Sequence, residues 1–539
     1  MRNLILLFLA SLGLRIAFAF LFQFDGLYGQ DPFAYYEYTL ELRQALGAGE
    51  APPDFFWPIG YPLLAVLSSL VTGLRPLAGQ AISILAASLV APLVYLIVLE
   101  IRPAKVELVE TEPAARQGAL AAGLLIATAA QMMLSSLSYM ADAAGLFWVT
   151  LSALAMLRYL RVLRPSWLVL AAFTLGWAVL TRWAFALVVF PWALAAFLAW
   201  QQAKVTWPQR LQMAGLAVLV GGIVLGSQFL PSIGEEELAH TGDLQVVGWN
   251  PANAFKSTIT NSDGTFNYEL PVGVFYALPA IHPAFVFPLL SPFLLIGIWS
   301  LRKRRPAQIA LILGWPLIMY LFLAGIAWEN TRFSLAFFPP LAVLTGLGLQ
   351  LLWNTPPTHL LSKFKFPINQ SIKRQAARGK RQEARGKWQI TQLLTVSFTT
   401  NYRLLLTLYM ILALLGSLAW AGRNLRNFTA VNNAHIAAAR WVEASVPADA
   451  AVITFGVTLT MQHRTELEVS EIYHLTPETL RELVETRPHL YLFLDLENIN
   501  SQWEGLSPQQ NYLWLQENGR LVELDLYPPY TLFEVAAVP

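Results

Sequence analysis

Apolar runs of about twenty residues, long enough to cross a hydrocarbon core as a helix, recur along most of this chain and constrain its fold more than any other feature. Eleven of them stand at 4–22, 80–101, 117–134, 139–157, 167–181, 183–200, 211–230, 284–301, 309–327, 334–352 and 404–421. A backbone in lipid must satisfy its own hydrogen bonds, so such runs fold as helices. The expectation is a polytopic α-helical membrane protein of about 11 spans. Composition agrees, since 56% of the 539 residues are hydrophobic and only 13% are charged, unlike a soluble domain. There is no cysteine, which excludes disulfides, thiolate catalysis and Cys-ligated zinc.

Orientation follows from where the basic residues fall. With the N-terminus in the cytoplasm, the inner segments collect Arg2, then Arg102, Lys105 and Arg116, then Arg158, Arg161 and Arg164, then Lys204 and Arg210, then "RKRR" at 302–305, and ten more between 354 and 403. These are most of the 36 lysines and arginines; the outer loops before the tail carry only Arg43, Arg75, Arg182, Lys256 and Arg332. The positive-inside bias thus predicts a multi-pass protein of the cell (inner) membrane with its C-terminal tail extracytoplasmic. The apolar stretch at 58–74, rich in proline and next to Trp57, reads as a helix lying in the interface rather than a twelfth span. The first run resembles a signal peptide, but Arg15 within it favours a retained span.

Two regions are expected: a membrane domain over 1–421, with outer loops 23–79 and 231–283 and a basic cytoplasmic loop 353–403, and an extracytoplasmic α/β domain over 422–539. In the basic loop "RQAARGK" (374–380) is followed directly by "RQEARGK" (381–387), either a patch for anionic headgroups or a tolerated insertion. In the tail, "AVITFGV" (451–457) and "HLYLFLDL" (489–496) read as strands, "TPETLRELVETR" (476–487) as a helix capped by Thr476 with Pro477 in its first turn, and 520–535 as a hairpin around "YPPY". Asp495 and Glu497 fall at a strand end, where α/β domains bind ligands, but no glycine-rich phosphate loop accompanies them. A structural or acceptor-docking role is preferred for this domain.

Candidate chemistry collects at the outer ends of spans. "GQDPFAYYEY" (29–38) places Asp31 before Pro32, the pattern of an N-cap opening an amphipathic helix over about 32–47, with Tyr35 four residues on and on the same face. Asp142 starts the fourth span, Arg182 lies between the fifth and sixth, and Glu329 and Arg332 occupy the turn between the ninth and tenth. Charges at membrane depth are expensive, so their repetition at one level points to a polar cavity there. Arginine grips phosphate through paired donors and a carboxylate serves as general base. His282, before Pro283, reads as an interfacial histidine, and the polar loop 249–273 is assigned to the acceptor side.

Several of these stretches resemble the GT-C membrane glycosyltransferases, in particular the bacterial relatives of protein O-mannosyltransferases and of aminoarabinose transferases. They are "GQDPFAYYEYTLELRQALGAG", "FWPIGYPLL", "SYMADAAGLFWVTLSAL", "GWAVLTRWAFALVVFPWAL" and "WENTRFSLAFFPPLAVLTGLGL", in order over most of residues 1–352. The resemblance implies a sugar donor linked to polyprenyl phosphate, a lipid, glycan or protein acceptor, and contact with membrane lipids, with no nucleic acid involved. It maps the catalytic acidic residue onto Asp31 and phosphate recognition onto Arg182 and Arg332, with Tyr35, Asp142 and Glu329 as further substrate-binding candidates. No cofactor is certain. A divalent metal is left open, although many relatives carry a second acidic residue where this chain has Pro32. The rival readings are a transporter or flippase of a polar or lipid-linked solute, and a scaffold without activity.

Overall fold

A computed structural model describes residues 1–101, 112–229, 248–354 and 381–537, with residue 229, 381–401 and residue 537 as backbone only. Ten helices come first: α1 Arg2–Phe22, α2 Gln30–Ala48, α3 Gly60–Thr72, α4 Leu77–Glu100, α5 Glu112–Thr128, α6 Ala130–Leu137, α7 Ala141–Val162, α8 Pro165–Thr181, α9 Val189–Gln202 and α10 Trp207–Gly226. A small hairpin follows, β1 Thr258–Asn261 and β2 Gly264–Asn267, then α11 Val272–Ala277, α12 Ser291–Leu301, α13 Pro306–Gly325, α14 Phe338–Asn354 and the long α15 Arg381–Ser445. The C-terminal domain adds β3 Ala451–Thr454, α16 Thr458–Arg464, β4 Glu468–Glu471, α17 Pro477–Thr486, β5 Leu490–Leu494, α18 Leu496–Ser501, α19 Ser507–Asn518, β6 Gly519–Tyr527 and β7 Tyr530–Ala537.

By length and hydropathy, eight helical segments among the described residues can cross a membrane, or nine when the bent pair α5 and α6 counts as one. Two shorter apolar helices, α8 and Pro288–Leu301, coincide with the fifth and eighth runs of the sequence. The apolar stretch at 58–74 forms only the 13-residue α3, packed on α2 and α4. In the middle of the bundle lie α7 and the segment Thr331–Asn354, whose apolar windows are 78% and 83% buried; α10, at 0%, sits on its edge. Small residues let helices meet closely, as lipid-embedded packing requires: a Cβ on Gly297 of α12 would collide with the carbonyl of Leu344 of α14, and one on Gly348 with that of Phe293.

One expected span is broken. The run at 117–134 bends by 52° between α5 and α6, at Ala129, which is extended rather than helical. Neither glycine nor proline marks the place; tertiary partners take up the freed backbone groups. Arg15, fully buried, sends Nη2 to the Ile126 carbonyl at 3.5 Å, Ser417 donates to the Thr128 carbonyl at 3.2 Å, and the Gln131 amide donates to the Ala284 carbonyl at 2.9 Å. The bend turns α6, with Gln131, Ser135 and Ser138 at its end, towards the site described below.

Basic residues mark one end of the bundle. Arg158 and Arg161 reach Glu100 at 3.3 and 2.7 Å, and Arg304 donates to the Ile101 carbonyl at 3.0 Å. Arg102, Lys105 and the first copy of the tandem repeat at 374–380 lie outside the described residues.

The C-terminal domain is a five-stranded sheet of order β4-β3-β5-β7-β6, with β3 parallel to β4 and β5, and β7 antiparallel to β5 and β6. Its expected strands, hairpin and Thr476-capped helix are present, and β4 is a further strand. Asp495 caps α18, accepting from the Asn498 amide at 3.1 Å. α15 runs without interruption past residue 421 to Ser445, so a single helix joins the membrane bundle to the sheet. The domain rests on the segment 23–79, where His463 Nε2 lies 2.8 Å from Glu37 Oε1 and the His463 ring stacks on Phe33 at 4.7 Å, while Arg464 pairs with Asp25. It also holds the hairpin: the Thr265 amide donates to the Gln502 carbonyl at 2.8 Å and Gln502 Nε2 to the Asp263 carbonyl at 2.7 Å.

Candidate functional site

The helix that carries Asp31 begins two residues earlier than a cap at this position requires. Its N-cap is Gly29, Asp31 sits inside the first turn, and its carboxylate makes no capping hydrogen bond. The expected N-cap role is therefore corrected, because a stronger partner takes the side chain. Arg332 Nη2 donates to Asp31 Oδ2 at 2.6 Å, a charge-assisted bond at the short end of the usual range.

Arg332 reaches this place from the turn between α13 and α14, which is tightly held. Asn330 accepts from the Arg332 amide at 3.0 Å, the Asn330 amide donates to the Tyr276 hydroxyl at 3.1 Å, and that hydroxyl donates to the Trp328 carbonyl at 2.8 Å. On the hairpin, Asn261 Nδ2 donates to the Ala327 carbonyl at 2.7 Å and Asp263 Oδ2 accepts from Trp328 Nε1 at 3.0 Å. The guanidinium also contacts Met140 Sδ at 3.0 Å and lies 3.6 Å, through Nε, from Asp142 Oδ2.

Asp142, in the first turn of α7, is 3% exposed and stands between two arginines: Arg182 pairs with its Oδ1 while Arg332 approaches its Oδ2. An acidic residue at a helix N-terminus suits the helix dipole, and two cations make its burial tolerable. Arg182 ends α8 in extended conformation, and both guanidinium carbons lie over the Phe333 ring, at 5.2 and 5.3 Å. Tyr35 completes the group. It is 5% exposed, stacks on Trp57 at 5.0 Å and meets Tyr61 edge-on at 5.4 Å. Burial raises its hydroxyl above the ordinary tyrosine range, an effect that the nearby Arg182 and Arg332 oppose and Asp31 reinforces, so it remains a hydrogen-bond donor.

Five of the six predicted residues, Asp31, Tyr35, Asp142, Arg182 and Arg332, thus form one interacting group. The sixth, Glu329, lies beside it on a cavity wall. Desolvation pushes its carboxyl up to about 7, and its Oε1 is shut off from solvent with no hydrogen-bond donor among the described residues.

Cavities open on both sides of the Asp31 and Arg332 pair. One, of about 800 Å³, is lined by Asp31, Arg332, Glu329, Gln131, Ser135, Ser138, Asn424 and Trp420, with His282 also on its wall. His282, read from the sequence as interfacial, lines this cavity. The other, of about 400 Å³, holds Tyr35, Arg182 and Asp263 among apolar side chains of α13, including Met319, Phe322 and Leu323. Asp31, Met140, Asn330 and Arg332 belong to both. Gln131, Ser135, Ser138 and Asn424 were not singled out in the sequence; their only signal there is polarity at the end of an apolar run.

The described residues do not make a carboxylate-bound metal site. Asp31 and Asp142 are both held by arginine, and among the described residues no three His, Asp or Glu side chains converge. What the arrangement offers is a carboxylate between a polar and a largely apolar chamber, with two guanidiniums able to receive an anion.

No family model and no curated protein matches the chain by sequence. Solved structures do match it in fold. ArnT from Cupriavidus metallidurans bound to undecaprenyl phosphate superposes with a TM-score of 0.58 at 14% identity, covering 98% of this chain and 96% of that one. Its apo state gives 0.59 at 13% identity, covering 97% of each. The Archaeoglobus fulgidus oligosaccharyltransferase in the apo form gives 0.53 at 15% identity, over 100% of this chain and 74% of that one. Along nearly its whole length this chain therefore shares its fold with ArnT and with the archaeal oligosaccharyltransferase.

Proposed function

We propose that this chain is a membrane glycosyltransferase that moves a sugar from a polyprenyl-phosphate donor to an extracytoplasmic acceptor. The observation that carries the reading is the Asp31 carboxylate, held at 2.6 Å by Arg332 on the partition between a polar cavity and an apolar-walled one. A lipid-linked sugar needs both environments at once: an apolar wall for the prenyl chain and polar groups for the sugar. The fold shared with an ArnT bound to undecaprenyl phosphate supports a donor of that kind.

In this reading the donor phosphate lies in the smaller cavity against Arg182 and Arg332. The acceptor hydroxyl enters from the larger one and attacks the anomeric carbon. As the new carbon–oxygen bond forms, the hydroxyl proton passes to the Asp31 carboxylate. The bond from the anomeric carbon to the phosphate oxygen breaks on the opposite face with inversion, and the departing polyprenyl phosphate keeps the electron pair. Two guanidiniums stabilise the charge that gathers on that oxygen, where preorganised donors act most strongly. Tyr35 and Asp142 orient the arginines, and no step uses a nucleotide.

The test is transfer of a radiolabelled sugar from polyprenyl phosphate by the protein reconstituted in liposomes. Asp31→Asn should lower the rate by roughly 100- to 10,000-fold, the usual contribution of a general base, while donor binding persists. Full turnover by that variant would remove Asp31 from the reaction. Movement of the intact donor across the bilayer without transfer would favour the rival reading, a flippase.

A further inference from the structure

Gln502, just past α18 in the C-terminal domain, is half-buried and lines neither cavity. Its contacts nevertheless lead to the site. The Gln502 carbonyl accepts from the Thr265 amide at 2.8 Å and Gln502 Nε2 donates to the Asp263 carbonyl at 2.7 Å, so one residue grips the β1–β2 hairpin on both sides of Gly264. The approach is close. A Cβ on Gly264 would lie 2.5 Å from the Gln502 carbonyl oxygen, and the φ of 110° there suits glycine alone.

From the same hairpin, bonds run on to the turn before Arg332. Asn261 Nδ2 donates to the Ala327 carbonyl at 2.7 Å, Trp328 Nε1 to Asp263 Oδ2 at 3.0 Å, and the Glu329 amide to the hydroxyl of Tyr268, the residue after β2, at 3.2 Å. Asp263 thus faces both ways, accepting from Gln502 on its carbonyl and from Trp328 on its carboxylate. Tyr276 supports the turn as well, but through the Asn330 amide and the Trp328 carbonyl, leaving the Trp328 side chain to the hairpin. A two-stranded hairpin of four residue pairs is marginal by itself in water, so its place depends on what binds it. The same domain meets the other member of the site pair, since His463 contacts Glu37 and Phe33 of the helix that carries Asp31.

We propose that Gln502 is a positioning residue for Arg332: through the β1–β2 hairpin it sets where the guanidinium meets Asp31, so that the C-terminal domain fixes both halves of the pair. This rests on the transfer reading only for the reaction that the pair serves. The contact it governs, Arg332 Nη2 at 2.6 Å from Asp31 Oδ2, exists whatever that reaction is. Placement of this kind matters to rate, because a shift of about 1 Å in a reacting constellation costs about 100-fold.

The test uses the full-length protein and two variants, Gln502→Ala and Gln502→Glu; the second keeps the size of the side chain and removes its donor. One readout needs no sugar. Coupling between Arg332→Lys and Asp31→Asn is measured as the departure of their melting-temperature shifts from additivity, in the parent and in each Gln502 variant. It should fall by at least about half in both variants. Arg487→Ala, which breaks an exposed pair with Glu468 in the same domain, should leave it unchanged. The second readout is transfer from a polyprenyl-phosphate sugar in liposomes. Each Gln502 variant should lose about tenfold to a hundredfold in kcat, a larger change than the rise in KM for the donor, and should cause no further loss in the Arg332→Lys background. Undiminished coupling in either variant, an equal loss of coupling in Arg487→Ala, or a loss of kcat that adds to that of Arg332→Lys would each overturn the proposal. Absence of transfer by the parent protein would instead sink the glycosyltransferase reading, and leaves the coupling measurement standing.

Discussion

Arg332 and Asp31 are 301 positions apart in the sequence, and Nη2 of one lies 2.6 Å from Oδ2 of the other. The arginine comes from the turn before α14, the carboxylate from the first turn of α2, and the contact forms part of the wall of both cavities. Arg332→Lys keeps the charge but loses the fork that reaches Asp31, Met140 and Asp142 together. It should retain the fold and lose most transfer activity. In a thermal-stability cycle with Asp31→Asn the two changes should couple by about 0.5–3 kcal/mol. Strict additivity would show that the contact contributes nothing to the folded state.

Asp142 answers a different question, since it touches both arginines while itself 3% exposed. Asp142→Asn leaves two neighbouring guanidiniums without their shared anion. Removing one partner of a buried pair costs about 3 kcal/mol or more. A clear fall in melting temperature in detergent is expected, accompanied by loss of transfer; an unchanged melting temperature would place the balancing charge elsewhere.

Glu329 makes stability depend on pH in a stated direction. Burial raises its carboxyl from the ordinary 4.5 to about 7, so between those values the folded chain binds a proton that the unfolded chain has released. Its penalty is absent below about pH 4.5, grows through the interval, and is complete above about pH 7. The groups facing it are Tyr268, Tyr276, His282 and Arg332; of these, His282 titrates nearest and is itself pushed down by burial. Melting temperature followed from pH 5 to pH 8 should therefore fall less in Glu329→Gln than in the parent. Parallel curves would contradict the burial of this carboxyl.

The C-terminal domain grips the loop that carries Asp31 through His463 on Glu37 and Arg464 on Asp25. Both contacts are partly exposed, each contributing about 1 kcal/mol or less to stability. Replacing both with alanine should therefore spare overall folding, loosen α2, and lower the rate of transfer more than it raises the KM for donor. Protease nicking of the loop ahead of α2 offers an independent measure of that loosening.

The spans, the basic end of the bundle, the tail strands around residues 451 and 490 and the identities of the polar residues at the opposite ends of helices were all legible in the chain. They depend on local composition and spacing. Apolar length sets a membrane helix and alternation sets a strand wherever in space the segment ends up. The same local logic misassigned Asp31 as a cap, because a carboxylate before proline reads alike whether or not an arginine 301 residues away takes it.

Tertiary structure alone decided the rest. It broke the run at 117–134 at Ala129, where no glycine or proline stands, by supplying Arg15, Ser417 and Ala284 as partners for the freed backbone groups. It placed Gln131, Ser135 and Asn424, which belong to two separate helices, on one cavity wall. It also set Asp142 between Arg182 and Arg332, an arrangement that exists only when α7, α8 and the turn before α14 pack together. Periodicity fixes which face of a helix is apolar, whereas the convergence of charges depends on which helices become neighbours, and no local pattern carries that information.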